Sequence, residues 1–150
     1  MTHAKELFEL VDSQVINGMS DEAQARKNKF HRLAKAVAKS VAKALGFDKG
    51  TYSIRSNAGG RLVSGEVILH SESLYIEFSV DYLYRQFLYR TCKGTTDYTG
   101  GRNHWMEYWT LGDEWDEAIA EFHRLIDLAK TGPTDSEVEE SDLTNSNSPV

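Results

Sequence analysis

Leu74-Tyr75-Ile76-Glu77-Phe78-Ser79-Val80-Asp81 alternates apolar and polar side chains without a break. Successive side chains of an extended chain point to opposite sides, so this octet reads as a strand with one buried face and one open face. Upstream, the turn His70-Ser71-Glu72-Ser73 separates it from a strand carrying Val63, Val67 and Leu69, with Gly65 as a candidate bulge. Asn57-Ala58-Gly59-Gly60 marks the turn before that strand, and Tyr52 and Ile54 alternate in a first one. Downstream, residues 82 to 86 form a wide loop or a short helical turn. Phe87 to Lys93 makes a fourth strand, Thr95 to Asn103 a polar loop, and His104 to Trp109 a fifth strand. Short links between consecutive strands favour an antiparallel meander.

Outside residues 51 to 109 the period changes from 2 to 3.6. Leu7, Phe8, Val11 and Val15 share one face of a helix over residues 4 to 17, which Gly18 ends. Ser20 is placed to cap a longer helix, with Asp21 and Glu22 in its first turn facing the unpaired amides. At 100° per residue, Phe30, Leu33, Ala34, Val37, Val41, Ala44 and Leu45 gather on one side and Lys29, Arg32, Lys35, Lys39 and Lys43 on the other. A last helix begins near Thr110 or Asp113 and buries Trp115, Ala118, Ile119, Phe122 and Ile126. The expected fold is α+β: an antiparallel sheet of about five strands in a meander, with two N-terminal helices and one C-terminal helix packed mainly on one face.

Residues 1–130 make one domain, a length and apolar content (40% hydrophobic) sufficient for a core of its own. From Thr131 onward Ser, Thr, Asn, Asp and Glu dominate. Three apolar side chains besides proline cannot offset the entropy of ordering such a segment, so 131–150 is expected to be a disordered acidic tail. A single cysteine, Cys92, excludes an internal disulfide. No apolar run stands behind a basic flank at the start, and no run of about 18 apolar residues occurs, so the expectation is a cytoplasmic protein without a membrane role.

The net charge of −6 conceals an asymmetry: seven Lys or Arg and no acid lie between Ala23 and Gly46. The five cations on the outer stripe of the second helix are candidates to contact a polyanion, nucleic acid or an acidic protein. One acidic segment is intrinsic, since Asp135, Glu137, Glu139, Glu140 and Asp142 could dock there in cis. A plain solvated face produces the same pattern, and no aromatic is interleaved with the cations as single-strand binding favours.

The stretch from Arg90 to Trp105 is longer and more polar than a simple turn requires, as working loops are. Paired glycines, Gly100 and Gly101, would let backbone N–H groups converge on an anion beside Arg102. In a meander this loop shares an end of the sheet with His70 and Glu72. The candidate ligand- or partner-binding set is therefore Arg90, Asp97, Tyr98, Gly100, Gly101, Arg102, Asn103, His104, His70 and Glu72. Tyr98 and Trp105, if exposed together, would form an aromatic platform. Cys92 is expected to be a buried structural thiol. No phosphate loop, dinucleotide fingerprint, nucleophile elbow or zinc spacing is present, so neither a metal nor a cofactor is expected.

Two functions follow as expectations. One is a non-enzymatic binding or regulatory protein that holds a macromolecular partner, protein or polyanion, through the hairpin loop, the open sheet face at Tyr75, Glu77 and Ser79, and the basic helix. The other is a small cofactor-free enzyme or ligand-binding domain with a polar site at the hairpin-loop end of the sheet. A recess at that end favours the second.

Overall fold

The structure is a computed structural model and describes residues 2–13, 18–81 and 85–131. The sheet is the expected meander, curled into a half-barrel. Strands β1 (Tyr52–Asn57), β2 (Glu66–Ser71), β3 (Leu74–Ser79) and β4 (Gln86–Gly94) pair antiparallel in chain order. The fifth position is shared by two short strands: β5 (Asp97–Gly100) pairs with the end of β4, and β6 (His104–Glu107) pairs with its beginning.

Helix α2 (Asp21–Ala44) starts where its sequence places it: Ser20 Oγ accepts a hydrogen bond from the Ala23 amide at 3.0 Å. Such a cap contributes about 1 kcal/mol. Its apolar stripe, with Phe30, Leu33, Ala34, Val37 and Val41 fully enclosed, lies on β1 and β2. Ala44, expected on that stripe, is exposed, because the chain is already leaving the helix. Helix α4 (Trp115–Thr131) covers β3 and β4 with Ala118, Phe122 and Leu125. Helix α1 (Thr2–Ser13) packs on α2 and on the short α3 (Tyr108–Asp113), so its partner surface is helical. The shared core contains Val67, Leu69, Leu74, Ile76, Phe78, Phe87 and Tyr89, the inward residues of β2, β3 and β4.

The helix read over residues 4–17 is described as Thr2–Ser13; Val15, residues 82–84 and the tail from 132 lie outside the described residues. Three expectations are corrected. Val63 is not in a strand: it is exposed, and β2 begins only at Glu66. Gly65 explains this. Its φ of 75° belongs to the left-handed region, and a Cβ there would stand 2.1 Å from the Asn57 carbonyl oxygen, so the chain turns at this point.

The stretch Thr95–Asn103 is not a long loop. Thr95 and Thr96 alone form the turn; the polar residues after them are β5 and then Gly101–Asn103, three residues opposite Arg90 and Thr91 and so a bulge, which lead to β6. Finally, the fifth strand stops at Glu107 and two helices follow, not one beginning near Thr110. The Tyr108 ring packs against Phe78 and Phe87, and its hydroxyl donates to the Ser79 carbonyl at 2.8 Å. That burial pulls the backbone out of the sheet.

Candidate functional site

Helices α2 and α4 lie on the same face of the sheet, and among the described residues no helix covers the other; strand alternation decides what stands there. Ile68 and His70 of β2, Tyr75 and Glu77 of β3, Leu88, Arg90 and Cys92 of β4 point away from the helices. Ile68, Tyr75 and Cys92, with Leu88 beside them, make a second, small apolar cluster. A recess of about 320 Å³ opens over it. Tyr75, Glu77 and Leu88 line its floor. Arg90, Asn103, Tyr98 and Trp105 rise around them. Tyr98 is 54% exposed and Trp105 41%, so two large rings meet solvent at one rim.

Arg90 organises the rim. Its Nη1 donates to Asn103 Oδ1 at 2.9 Å, its Nη2 donates to the Gly101 carbonyl, and the guanidinium lies 5.8 Å from the centre of the Tyr98 ring. These contacts fasten the β5–β6 bulge to β4. Gly101 is needed for the same approach, since a Cβ there would stand 2.2 Å from Thr91 Oγ1. Tyr98 in turn meets the Tyr75 ring at 5.5 Å.

Glu77 carries the recess's acidic charge. Burial and the nearby Glu66 carboxylate push its pKa up, and only the Tyr75 hydroxyl, donating to Oε1 at 2.9 Å, pulls it down. Burial and Glu77 itself push the Tyr75 phenol far above its ordinary value, so the phenol stays a donor.

His70, Glu72 and Asp97 do share one end of the sheet, but as parts of the scaffold. His70 Nε2 donates to the Gly94 carbonyl at 2.7 Å, and Nδ1 faces the Arg55 guanidinium at 3.4 Å. Burial lowers its pKa, so the ring is neutral with both nitrogens engaged. Asp97 is exposed and accepts from the Thr99 amide and hydroxyl, which hold its carboxyl below the usual value. Glu72 is an exposed turn residue.

His104 lies across the sheet from this group: it stacks on Tyr89 with centroids 5.2 Å apart, on the helix side, near Glu121. Arg102 sits half-buried in the bulge between β5 and β6. Of the candidate set, Arg90, Tyr98 and Asn103 line the recess; Gly100 and Gly101 shape the bulge beside it. Ser79 is on the open face beyond the recess.

Cys92 is a buried thiol whose Sγ donates to the Ser71 carbonyl at 3.2 Å, and burial pushes its pKa up to about 11. Among the described residues no three metal-ligating side chains converge, and no helix is long and apolar enough to cross a membrane. Lys29, Arg32, Lys35, Lys39 and Lys43 are all exposed on α2, and among the described residues none forms an ion pair.

Sequence reasoning missed a second polar region. Gln24, Lys27 and His31, spaced three and four apart on α2, hold the connection between β1 and β2. Gln24 Nε2 reaches the Arg61 carbonyl at 3.2 Å, and Lys27, only 4% exposed, donates to the Gly60 carbonyl at 2.8 Å. His31 bonds Ser56 Oγ and the Ser64 carbonyl, each at 2.7 Å. Asp81 accepts from the Ser64 and Gly65 amides on the far side. The available signal was Lys27 and His31 falling at the helical spacing of the apolar stripe.

No protein-family model, no curated protein and no solved structure matches this chain significantly.

Proposed function

We propose that the chain is a non-enzymatic binding protein whose ligand, a small molecule or a side chain of a partner protein, enters the recess on the open face of the sheet. One observation carries this reading: Tyr98 and Trp105 stay exposed beside a recess of about 320 Å³ whose floor also holds a carboxylate. Exposed rings around a concave site with a few polar groups are what ligand pockets have in common. The hairpin contributes through Tyr98 and Asn103, while Tyr75 and Glu77 supply the sheet face.

Catalysis is the weaker reading for a chemical reason. Glu77 has the raised carboxyl of a general acid, but a second group must work against it. His70 has both nitrogens engaged, and the Cys92 thiol is held protonated. A cytoplasmic location fits the same reading, since the one cysteine is a buried thiol.

The test is a fragment screen on isotope-labelled protein, followed through the Trp105 indole N–H resonance. Fragments that move it, and lose affinity in Trp105→Ala, support the recess. A screen in which binders move only resonances elsewhere would overturn it.

A second reading rests on the five exposed cations of α2, which suit an acidic or polyanionic partner. Labelled nucleic acid at about 50 mM and about 200 mM salt tests it; no binding at the lower salt removes it.

A further inference from the structure

The register of the sheet sets out the recess in rows. Glu77 of β3 stands opposite Leu88 of β4, and Leu88 stands opposite Trp105 of β6. Glu77 and Trp105 therefore face each other across Leu88 at two strand spacings, roughly 10 Å. The next row along holds Tyr75 opposite Arg90.

The polar groups of these two rows differ in what they have left to give. Arg90 is turned to Asn103, to the Gly101 carbonyl and to the Tyr98 ring. Glu77 has one neutral donor, the Tyr75 hydroxyl, and among the described residues it forms no ion pair. Glu66, close enough to act on Glu77, adds to the negative potential, and the whole chain carries −6.

From this we infer that the recess takes an organic cation, an ammonium or guanidinium head on an apolar stem. This rests on the reading of the recess as a binding site. The head meets the Glu77 oxygen that Tyr75 does not use, and the apolar stem lies over Leu88 toward the Trp105 indole. A neutral ligand covering the floor would bury the carboxylate further without a partner, at a cost. An anion would meet Glu77 repelling it and an Arg90 whose Nη1 and Nη2 are turned to Asn103 and Gly101 and whose Nε, though without a partner, is enclosed beyond a ligand's reach. The desolvation that raises the Glu77 carboxyl is relieved by a bound cation. The head group has two possible sources, a free amine and a Lys or Arg side chain of a partner.

The experiment titrates isotope-labelled protein at low ionic strength with five probes, read at the Trp105 indole N–H. Spermidine represents a free amine. The N-acetyl amides of lysine and arginine represent a partner's side chains. The N-acetyl amides of norleucine and glutamate are neutral and anionic controls. The expected result is saturable shifts with the cationic probes, about tenfold or more weaker with norleucine. Glu77→Gln, which keeps an acceptor for Tyr75, should lose a similar factor for the cations and little for norleucine.

Tighter binding of spermidine than of the amides names a free amine as the source, and the reverse order names a side chain. Equal affinity for norleucine, a preference for glutamate, or an unchanged Glu77→Gln overturns the cation inference while leaving the recess as a binding site. No shift with any probe also overturns it, and the fragment screen then decides separately whether the recess binds anything.

Discussion

The helix-covered face and the open face of the sheet are built by the same strands from alternate residues, and they do different work. On the covered face Val67, Leu69, Ile76, Phe78 and Phe87 are fully enclosed and join one large core. On the open face Ile68, Tyr75, Leu88 and Cys92 form a small cluster under a recess whose rim is aromatic and charged. Polar groups differ in the same way. His31, on the helix side, has both ring nitrogens bonded within the protein, whereas Glu77, on the open side, has one oxygen without a hydrogen bond among the described residues. Polarity by itself does not mark a site; unspent hydrogen-bonding capacity beside an opening does.

The largest expected effect tests the division of labour between neighbours in sequence. Phe87→Ala should cost about 3–5 kcal/mol in urea unfolding, as a large ring removed from an enclosed core does. Leu88→Ala, one residue on but half-exposed, should cost about 1 kcal/mol. Comparable losses would mean that the open face shares the load, and the comparison would break.

Next is the connection that α2 holds. Gly65→Ala should destabilise by about 1–3 kcal/mol, because the left-handed backbone and the Asn57 carbonyl both oppose a Cβ. Gly60→Ala, with open space around it, should stay within about 0.5 kcal/mol. A harmless Gly65→Ala would show that this connection can re-form in another way.

The third expectation is acid sensitivity from the covered side. Burial first, then Lys27 and Lys35, lower the His31 pKa against the opposing pull of the Ser64 carbonyl and Glu66. Below the unfolded value of 6.5 the unfolded chain binds a proton that the folded ring resists, so stability falls as pH drops through that region. His70, also lowered by burial, adds in the same direction. Melting temperatures of wild type and His31→Gln between about pH 7.5 and about pH 5.5 would check this. The variant should have the flatter slope, and parallel slopes would place the proton uptake elsewhere.

The smallest effect sharpens the contrast most. The Glu77 carboxyl is raised, so its ionised form is a cost at neutral pH, relieved as pH falls through the folded value. Glu77→Gln at pH 7 should therefore change unfolding free energy by no more than about 0.5 kcal/mol, or stabilise slightly. A clear destabilisation would make Glu77 a structural residue and weaken the binding reading.

Local patterns made much of the fold legible. The alternation that makes β3, the helical stripe of α2 and the Ser20 cap depend on near neighbours in the chain, and the structure contains each of them, with the strand ending at Ser79 and not at Asp81. The site was legible in part. Arg90, Tyr98 and Asn103 line the recess, and the exposed pair Tyr98 and Trp105 could be named in advance. His104 stands on the other side of the sheet for a reason that strand alternation about Trp105 already contained. Gly100 and Gly101 suggested an anion cradle, yet Gly101 answers to the approach of Thr91, a residue ten positions earlier. Among the seven cations between Ala23 and Gly46, Lys27 falls off the outer stripe, and only its contact with Gly60 shows where its charge goes.

By itself the sequence determined the periods, and with them which residues share a face and that successive strands lie side by side. Those are consequences of backbone geometry, which repeats every 2 or 3.6 residues wherever it occurs. Tertiary structure alone decided which face the helices would cover, where β4 would exchange β5 for β6, and which polar side chains would find partners inside the protein. Each of these depends on residues distant in the chain meeting at a few ångströms. A hydrogen bond made or left unmade at that range separates a scaffold residue such as His70 from one with capacity to spare such as Glu77.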